Sequence, residues 1–379
     1  MPGLHLVVIG AGIAGLAHAW AAARRGWRVT VFEREGRARG ASVRNFGMFW
    51  ALGQPPELRP AVLRSRERWR EFLAATGAWH RECGAVIVAA HADEAAVLEE
   101  FAACGAADGV EVWTGVQVEA RCPAVRRGVA RAGLFSPHEI NVDPREALAR
   151  LPDFLAARHG VAFRWSTAVT ATETGRIRTA AGEWLACDAA VICSGSDLET
   201  LLPGTFSGAG LQRCRLQMLR TVPQPTGWSP GPLLAGGLSL RHYASFAGCP
   251  SVAAVRARVA RETPELDRFG IHVMAALDRH GALVLGDSHE YGLDDGLGEK
   301  AEIEALIVRE LRRLFGFPDW TVAERWHGVY AKHATGAAFR AEPLPGVHVV
   351  TGLGGAGMTL AFGLADEAVW PGSRGTQKD

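Results

Sequence analysis

The N-terminal segment constrains the fold most, because an apolar strand, a glycine turn and a helix follow one another there. Leu4–Ile9 is predicted to be a buried strand, the G-A-G-I-A-G motif at residues 10–15 a turn, and Ile13–Arg25 a helix. A second strand, Val29–Phe32, comes next. The pattern is that of a βαβ unit, so it predicts an α/β fold built around a parallel sheet.

The glycines of this turn are spaced as a dinucleotide requires. Gly10 allows the tight turn, Gly12 leaves room for a pyrophosphate beside the backbone, and Gly15 lets the helix pack on the strand. The helix N-terminus, at Ile13 and Ala14, offers N–H groups and partial positive charge to phosphates. The turn therefore predicts a phosphate site.

A carboxylate stands at the end of the second strand. Glu33 lies 33 − 15 = 18 residues after Gly15, where it would accept hydrogen bonds from ribose hydroxyls and repel a 2′-phosphate. The motif, its flanking elements and this carboxylate together predict dinucleotide binding. The alternative is a helix–strand turn in which glycine serves packing alone.

A second glycine loop, residues 352–357, bears on which dinucleotide is bound. It follows a predicted strand, Val347–Thr351, and opens a predicted helix, Met358–Val369. A second helix N-terminus suits the pyrimidine edge of a flavin, which becomes negative on reduction. An NAD enzyme has no need of it, so the loop favours FAD, with a packing turn as the alternative.

Several further motifs accompany the two glycine loops. They are Gly40-Ala41-Ser42 with Asn45 and Gly47, Val142-Asp143-Pro144, Cys193-Ser194-Gly195, Trp326-His327-Gly328 and Gly354-Gly355-Ala356-Gly357-Met358-Thr359. Together with the N-terminal motif they resemble the glycine oxidase/sarcosine oxidase/D-amino-acid oxidase family of FAD-dependent amine oxidases. The resemblance covers nearly the whole chain.

The resemblance implies an α/β (α+β overall) architecture in which two domains are interleaved. A Rossmann-like FAD-binding domain would comprise residues 1–80, 140–205 and 325–379. A β-sheet-rich substrate domain would comprise residues 81–139 and 206–324, with predicted strands at Leu211–Thr221, Leu238–Phe246, Ile271–Ala276 and Ala282–Leu285 and an amphipathic helix at Glu299–Phe315.

The same resemblance implies the cofactor site. Its predicted FAD-binding residues are Gly10, Gly12, Ile13, Ala14, Gly15, Glu33, Arg34, Ala41, Ser42, Asn45, Phe46, Gly47, Val169, Ser194, Gly195, Gly354, Gly355, Gly357, Met358 and Thr359. Relatives with covalent flavin use a cysteine close to the C-terminal glycine loop. Here the last cysteine is Cys249, so we expect non-covalent FAD.

The predicted substrate pocket departs from the family pattern at one position. Relatives that oxidise α-amino acids typically have W-x-G-x-R, and the arginine clamps the substrate carboxylate. This chain has Tyr330 in the place of that arginine, so a two-pronged donor is replaced by one hydroxyl. The residues predicted to contact substrate are Arg44, Arg241, His242, Tyr243, Tyr330, Lys332 and His333, and the predicted catalytic group is Tyr330, His333 and Met48.

A narrower resemblance concerns the substrate. The segments 41–48, 216–221, 286–292 and 328–330 resemble the subgroup proposed to oxidise aminophosphonates related to 2-aminoethylphosphonate. This implies hydride transfer from the amine-bearing carbon to the flavin, release of an aldehyde, and reoxidation by O2 with hydrogen peroxide as product. A glycine, sarcosine or D-amino-acid oxidase is the alternative within the family. His289 and Glu290 are interpreted as structural.

Composition limits the other classes of function. The net charge of +1 argues against nucleic-acid and polybasic membrane partners, and no apolar stretch is long enough to span a bilayer. The seven cysteines lack C-x-x-C spacing and the histidines lack H-E-x-x-H spacing, so we expect reduced thiols, no metal and a cytoplasmic location. The absence of a G-x-S-x-G elbow disfavours a hydrolase. An NAD-dependent dehydrogenase and a non-catalytic FAD-binding protein stay open as alternatives, as does a homo-oligomer.

Overall fold

A computed structural model of the chain describes residues 3–105, 107–292 and 300–368. The α-helices of these residues are α1 (Ile13–Arg24), α2 (Arg59–Thr76), α3 (Ala92–Ala103), α4 (Gly115–Arg121), α5 (Pro144–His159), α6 (Val252–Glu262), α7 (Pro264–Arg268), α8 (Ala301–Leu314) and α9 (Gly357–Asp366). The β-strands are β1 (His5–Ile9), β2 (Arg28–Phe32), β3 (Met48–Phe49), β4 (His80–Arg81), β5 (Ala85–Ala89), β6 (Glu111–Thr114), β7 (Ala132–Ser136), β8 (Ile140–Val142), β9 (Ala162–Arg164), β10 (Val169–Glu173), β11 (Arg176–Thr179), β12 (Trp184–Ala186), β13 (Ala189–Ile192), β14 (Leu211–Pro223), β15 (Leu233–Gly236), β16 (Met274–Leu277), β17 (Ala282–Gly286), β18 (Glu290–Tyr291), β19 (Val322–His333), β20 (Phe339–Leu344) and β21 (Val347–Thr351).

A six-stranded sheet contains both glycine loops. Its order is β20-β21-β13-β1-β2-β9, and all neighbours are parallel except β20 and β21. Both faces are covered: Leu6 and Val8 of β1 pack in one core with α1, α2, α5 and α9, whereas Val7 and Ile9 pack in another core with residues of β10 and β11. Burial of both faces explains why β1 is a continuous apolar run rather than an alternating one.

A second, larger sheet has the order β18-β14-β17-β16-β15-β5-β7-β6, with β19 paired to β14 at its edge. The long antiparallel pair of β14 and β19 sets Cys214 opposite Tyr330 and Gln212 opposite Lys332. This pairing fixes which β19 side chains share a face, because side chains alternate along a strand. A small sheet, β3-β8-β4, adjoins α5 in sequence.

Most predicted elements are present, and their local chemistry explains why. At α5, the Asp143 carboxylate accepts hydrogen bonds from the N–H groups of Arg145 and Glu146, both at 2.9 Å, and Pro144 occupies the first turn. The helix ends at Gly160, which has a φ of +67°. The predicted Glu299–Phe315 helix is present as α8, although Glu299 itself lies outside the described residues. The same holds for Val369, the predicted end of α9.

One predicted strand is wrong. Leu238–Phe246 forms two short 3₁₀ helices, Gly237–Arg241 and Ala244–Phe246. The N–H groups of His242 and Tyr243 bond back to the Ser239 carbonyl, at 3.0 and 3.2 Å, rather than across a sheet. All four residues from 237 to 240 are buried, so alternation along this segment carries no strand information.

We propose that the predicted division into two domains applies, except that the boundary at residue 325 must move to an end of β19. The six-stranded sheet draws its strands from 1–80, 140–205 and 325–379, and most strands of the larger sheet come from 81–139 and 206–324. The boundary at 325 falls inside β19, which pairs with β14 along its length. Residues 1, 2, 106, 293–299 and 369–379 of these ranges lie outside the described residues.

The helices of the described residues do not reach the length and apolar character that crossing a membrane requires.

Candidate active site

One large cavity, of about 1020 Å³, connects most of the predicted site residues. One end of it, the nucleotide end, is formed by Gly10, Gly12, Glu33, Val169 and Ser194. The other, the histidine end, is formed by His242, His272, Asp287, His289 and Tyr330. The second glycine loop lines the wall as well, so the cavity joins a phosphate-binding turn to a polar chamber.

The three glycines of the first turn differ in what requires them. A Cβ at Gly10, whose φ is +106°, would lie 2.4 Å from the Cys193 carbonyl oxygen, and one at Gly15 would lie 1.9 Å from the Gly10 carbonyl oxygen. Both positions are therefore closed to larger residues by the backbone itself. At Gly12 the nearest atom is the Ser42 hydroxyl oxygen, 3.2 Å away on a side chain that can rotate. The protein does little to exclude a side chain at Gly12, and a ligand approaching the backbone would.

The Glu33 carboxylate holds the first glycine turn in place through backbone hydrogen bonds. One carboxylate oxygen accepts the Ala11 N–H at 2.8 Å and the other accepts the Glu35 N–H at 3.0 Å. Each carboxylate oxygen has a second lone pair that can face the cavity, which Glu33 also lines. Glu33 thus holds the loop in place and keeps acceptor capacity for a ribose.

The loop after Gly40 closes over the N-terminus of α1. The Ser42 hydroxyl accepts the Ile13 N–H at 3.0 Å. Asn45 donates to the carbonyls of Ala41 and Ser42, both at 3.0 Å, and accepts the Gly47 N–H at 2.8 Å. Ala41, Ser42 and Asn45 line the cavity, but the Asn45 amide is engaged in holding its own loop.

The second glycine loop lies beside the substrate side of the cavity. Gly354, Gly355, Gly357, Met358 and Thr359 all line the wall. The α9 helix begins at Gly357, and its N-cap residue provides no side-chain hydrogen bond. The N-terminus of α9 is therefore available to a negatively charged group, as predicted for a flavin edge.

Two of these residues also anchor the helix. The Thr359 hydroxyl accepts the Trp50 N–H at 2.9 Å, and the Met358 carbonyl accepts the Trp69 indole N–H at 2.7 Å. These bonds fix α9, and with it the loop, against the rest of the chain.

Tyr330, Lys332 and His333 come from the end of β19. The hydroxyl oxygen of Tyr330 lies 3.8 Å from the point where a Cβ would stand on Gly355, so this side chain lies next to the second loop. Lys332 donates to the Tyr291 hydroxyl at 3.3 Å. His333 accepts the Gly336 N–H at its Nδ1 atom, at 2.8 Å, which leaves its Nε2 atom protonated.

The histidine end is a buried polar cluster. Nitrogen atoms of His242, His272 and His289 lie within 4.8 Å of one another. Burial lowers the pKa of His242 and His272 well below 6.5, with smaller contributions from neighbouring charges, and lowers the pKa of His289 to about 3. Burial raises the pKa of Asp287 well above its usual value. The imidazoles are therefore neutral at pH 7.

Tyrosines surround this cluster. The chain has three, and Tyr243, Tyr291 and Tyr330 all have aromatic contacts with its histidines, with ring centroids 5.1, 6.4 and 6.5 Å apart for the pairs His242–Tyr243, His289–Tyr291 and His289–Tyr330. Burial raises the pKa of Tyr243 and of Tyr330 well above 10. Each hydroxyl keeps its proton and can donate a hydrogen bond.

Five predicted site residues do not line the cavity. Arg241 forms an ion pair with Asp267 and donates to the Ile271 carbonyl at 2.7 Å. Arg44 donates to the His327 carbonyl at 3.2 Å. The prediction that these two guanidinium groups face the substrate pocket is therefore corrected, because both are engaged with other partners outside the cavity wall.

The other three, Gly15, Gly47 and Met48, support the site from behind. A Cβ at Gly47, whose φ is +74°, would lie 1.9 Å from the Val142 carbonyl oxygen, so packing requires this glycine. Gly15 is required by packing in the same way, as shown above. Met48 is buried in β3, within a core shared with Trp50 and Leu52, and is not placed to act as a catalytic group.

The remaining predicted residues do line the cavity. They are Gly10, Gly12, Ile13, Ala14, Glu33, Arg34, Ala41, Ser42, Asn45, Phe46, Val169, Ser194, Gly195, Gly354, Gly355, Gly357, Met358 and Thr359 for the cofactor, and His242, Tyr243, Tyr330, Lys332 and His333 for the substrate. Arg34 also pairs with Asp197 at 2.6 Å, which holds it at the nucleotide end.

Sequence analysis missed His272 and Asp287 and interpreted His289 as structural. His272 stands between Ile271 and Val273, where a lone histidine in an apolar run gives no sign of a site. Asp287 follows β17. Its segment was singled out only for a family resemblance, and nothing in the sequence marked its carboxylate as part of a site. Only the tertiary structure brings the three side chains together.

The two glycine loops, the carboxylate below the first and the parallel sheet define a dinucleotide-binding α/β protein. The residues fit the predicted dinucleotide, because the wall leaves an open approach to Gly12 at one end and an uncapped helix N-terminus at the other. The model of the FAD-dependent oxidoreductase family (DAO) matches residues 5–369. The chain belongs to this family, and FAD is its cofactor.

Individual proteins show more distant similarity. The chain is 32% identical over 254 residues to the tRNA 5-methylaminomethyl-2-thiouridine biosynthesis bifunctional protein MnmC of Burkholderia multivorans, covering 61% of this chain and 36% of the relative. The match thus spans little more than a third of that protein's length.

Solved structures of similar fold match nearly the whole chain. A glycine oxidase from Geobacillus kaustophilus superposes with a TM-score of 0.73 at 19% identity, covering 96% of this chain and 93% of the other. An L-proline dehydrogenase from P. horikoshii gives a TM-score of 0.75 at 19% identity, with 96% and 92% covered. These similarities extend the fold assignment to both sheets.

Proposed function

We propose that the protein is an amine oxidase that acts on a CH–NH bond of a small anionic amine, with an aminophosphonate as the substrate class. The observation that carries the proposal is the composition of the substrate side of the cavity. Tyrosine, histidine and lysine side chains lie there beside the second glycine loop, and the family's arginine is replaced by Tyr330.

The distribution of arginines supports a substrate other than an α-amino acid. Among the described residues that line the cavity, the arginines are Arg34 and Arg39. Arg34 pairs with Asp197 and Arg39 with Glu35, in the part of the chain that follows β2 at the nucleotide end. A carboxylate at the histidine end would therefore find no planar two-pronged donor in the described wall.

A phosphonate suits the donors that the wall does provide. It has three acceptor oxygens arranged in three dimensions, which separate single donors can serve. Lys332 supplies a positive charge, and the hydroxyl of Tyr330 and the Nε2 of His333 supply neutral donors. Charge-assisted hydrogen bonds contribute about 1.5–3 kcal/mol each, so two of them suffice to set substrate preference.

The protein's part in the reaction is to position and desolvate the amine. FAD, when bound, supplies the two-electron oxidation of the amine-bearing carbon. The amine must enter this step without its extra proton, and a buried, weakly hydrated chamber favours the neutral form. The Tyr330 hydroxyl orients the substrate as a hydrogen-bond donor, because burial raises its pKa and keeps it protonated, whereas the Tyr243 hydroxyl donates to Met274 Sδ.

The cysteines that line the cavity bear on whether FAD is bound covalently. Among the described residues that line the cavity, the cysteine is Cys193, which is buried and whose pKa burial raises to about 12. A thiol of this kind is a poor nucleophile at neutral pH. We propose that FAD is held without a covalent bond, that O2 is the second substrate and that the protein is located in the cytoplasm.

The test is a substrate screen with two readouts on the purified holoenzyme. Hydrogen peroxide release and anaerobic bleaching of the flavin are measured with N-methyl-2-aminoethylphosphonate, 2-aminoethylphosphonate, sarcosine, glycine and D-alanine. We expect kcat/KM to be highest for an aminophosphonate. A kcat/KM for sarcosine or glycine equal to or above that value would overturn the substrate class. Flavin bleaching without hydrogen peroxide release would mean that the protein oxidises the amine but that an acceptor other than O2 reoxidises the flavin.

The runner-up function is oxidation of glycine, sarcosine or a D-amino acid. The fold shared with glycine oxidase favours it, although 19% identity extends only to the fold. Bleaching by glycine or sarcosine, but by no aminophosphonate, would select it. A protein that binds FAD and is bleached by none of these amines would fit the non-catalytic alternative.

A further inference from the structure

Three histidines from separate parts of the chain converge at the histidine end. His242 follows the 3₁₀ helix Gly237–Arg241, His272 precedes β16, and His289 lies between β17 and β18. Their ring centroids are 4.1, 4.2 and 4.9 Å apart, and ligand nitrogens from all three lie within 4.8 Å of one another. Two nitrogens that share one ion, each bonded at about 2.0–2.1 Å, lie about 3.3 Å apart in a tetrahedral site and at most about 4.2 Å apart in any geometry, so the three rings must draw together slightly to bind one ion.

A carboxylate completes the group. The Asp287 Oδ1 atom lies 3.3 Å from His272 Nε2, and Oδ2 lies 3.8 Å from His289 Nε2. Asp287 is only 4% exposed and His272 only 2% exposed. His272 Nε2 and Asp287 Oδ1 nevertheless make no hydrogen bond within the described part of the chain. Buried polar atoms without a hydrogen bond are uncommon, and a bound ion beside them is one of the explanations for such a pair.

Outer hydrogen bonds orient two of the rings. The His289 Nδ1 atom lies 3.3 Å from the Gly270 carbonyl, so it carries the proton and leaves the lone pair on Nε2, which faces Asp287. The His272 Nδ1 atom lies 3.2 Å from the Ser239 hydroxyl. Outer partners of this kind are characteristic of metal-binding histidines, whose second nitrogen is held by a carbonyl, carboxylate or hydroxyl.

We propose that His242, His272, His289 and Asp287 form a binding site for a divalent transition-metal ion of the zinc and iron class. Imidazole nitrogen with one carboxylate is a ligand set that these ions favour. All four side chains line the cavity, so an ion there is accessible from it and can keep a position open for water or a substrate oxygen. The site lies in the chamber of the proposed function but does not depend on which amine is oxidised.

Two other occupants are less consistent with this geometry. An anionic group would lie beside the Asp287 carboxyl oxygens and would meet no lysine or arginine among the four converging side chains. A purely structural hydrogen-bonded cluster would pair His272 Nε2 with Asp287 Oδ1, and that bond is not made. The unprotonated Nε2 of His289 and the carboxyl oxygens of Asp287, which face each other, can instead both serve as ligands of a cation.

The experiment uses the FAD-loaded holoenzyme without a polyhistidine tag, stripped with a chelator. Zinc is added, unbound ion is removed by gel filtration, and bound zinc is counted by inductively coupled plasma mass spectrometry. We expect one zinc per chain. Cobalt, added in the same way, should give absorption bands between the flavin band and the red that are absent from the stripped protein.

Variants localise the ion. His272→Gln and Asp287→Asn should lower zinc affinity more than about 100-fold, and Ser239→Ala, which removes an outer partner, by about 10-fold. His280→Gln, on an exposed turn that precedes β17, is the matched control and should bind zinc like the unaltered protein. FAD absorbance and thermal melting of each variant show whether it is folded.

Three results would overturn the proposal. They are less than a tenth of an equivalent of zinc in the unaltered protein, equal zinc binding by His272→Gln and His280→Gln, and cobalt bands that survive in Asp287→Asn. The first result does not require any variant to fold. Because none of these readouts uses turnover, failure of the metal site leaves the amine oxidase proposal intact, and failure of the substrate screen leaves the metal site intact.

Discussion

The two ends of the cavity are built in different ways. At the nucleotide end, Gly10, Gly12 and Gly15 lie within six consecutive residues of one turn, and Glu33 follows after one helix and one strand. At the histidine end, the polar side chains come from four separate segments of the chain between His242 and Tyr330, and only Asp287 and His289 share one segment. The first end is local in the sequence and the second is made by tertiary packing.

The difference also appears in what each end demands of its residues. The glycines at Gly10 and Gly15 are fixed by backbone contacts shorter than 2.5 Å to a Cβ, so they are required for folding as well as for binding. The histidine end consists of side chains whose backbone places few demands on their identity. We therefore expect substitutions at Gly10 and Gly15 to affect cofactor binding and stability together, a substitution at Gly12 to affect cofactor binding alone, and substitutions at the histidine end to affect substrate or metal binding.

The largest expected effect is at Gly12. In Gly12→Val the side chain would occupy the approach to the turn, and its Cβ would meet only the Ser42 hydroxyl within 4 Å, so FAD binding should be lost and the fold retained. FAD content after gel filtration, and circular dichroism of the same samples, measure the two effects. Gly204→Val is the control, because a Cβ there meets nothing within 4 Å.

A second variant sharpens this result. Gly15→Val would place its Cβ against the Gly10 carbonyl oxygen, at 1.9 Å, and should destabilise the chain itself. If Gly12→Val retained full flavin occupancy, or melted as early as Gly15→Val, the pyrophosphate would not lie over Gly12.

At the other side of the cavity, Lys332→Met should act on substrate alone. Loss of one charge-assisted contact, about 1.5–3 kcal/mol, should raise KM for the aminophosphonate by roughly 10- to 100-fold and leave FAD affinity unchanged. Steady-state kinetics and flavin titration measure the two quantities. Arg261→Met, at a side chain that is 69% exposed, controls for the removal of a positive charge. An unchanged KM would remove Lys332 from the substrate site.

This contrast explains how much the sequence could predict. The apolar run, the glycine spacing and the order of predicted strands and helices identified the βαβ unit and both glycine loops, because each is specified by neighbours in the chain. The predicted strand over 238–246 failed because residues 238–240 are all buried and show no preference for one face, and because the N–H groups of His242 and Tyr243 bond within the segment. Local rules therefore sufficed for the cofactor end.

The remaining site depends on contacts that no local rule reports. Arg241 is of a residue type that binds anions, yet its guanidinium group forms an ion pair with Asp267, 26 residues away in the sequence. His272 gave no signal, because its partners Ser239 and Asp287 are distant in sequence. The donors of a pocket can thus be proposed from the sequence by type, but which of them face inward depends on the fold.

A smaller effect is expected at Glu33. Glu33→Ala removes the acceptor of the Ala11 and Glu35 N–H groups, so both cofactor affinity and stability should fall, each by about 1–3 kcal/mol. Flavin titration and chemical denaturation of the FAD-free protein separate the two. Glu173→Ala, at the exposed last residue of β10, serves as the control. Unchanged FAD affinity together with reduced stability would assign Glu33 to the loop and not to the ribose.

The smallest expected effect is a pH dependence that belongs to neither end. Burial raises the pKa of Glu139 to about 7, its Oε1 accepts the Leu52 N–H at 2.9 Å, and its Oε2 makes no hydrogen bond in the described part of the chain. The folded state holds this proton when the unfolded state, with a pKa of 4.5, has released it. The resulting stabilisation is complete below that value and is lost as the pH rises through about 7.

The free energy of unfolding should therefore fall by about 1 kcal/mol between pH 5 and pH 6, relative to Glu139→Gln, which cannot titrate. Urea denaturation at several pH values measures it. Glu82→Gln, which keeps Glu139, should show the same fall as the unaltered protein, because the hydrogen bond from Arg70 holds the pKa of Glu82 below its usual value, outside this pH range. Glu139 does not line the cavity, so added FAD should leave the slope unchanged. If FAD abolished the slope, Glu139 would be coupled to the nucleotide end of the cavity, and its titration would not be independent of the cofactor.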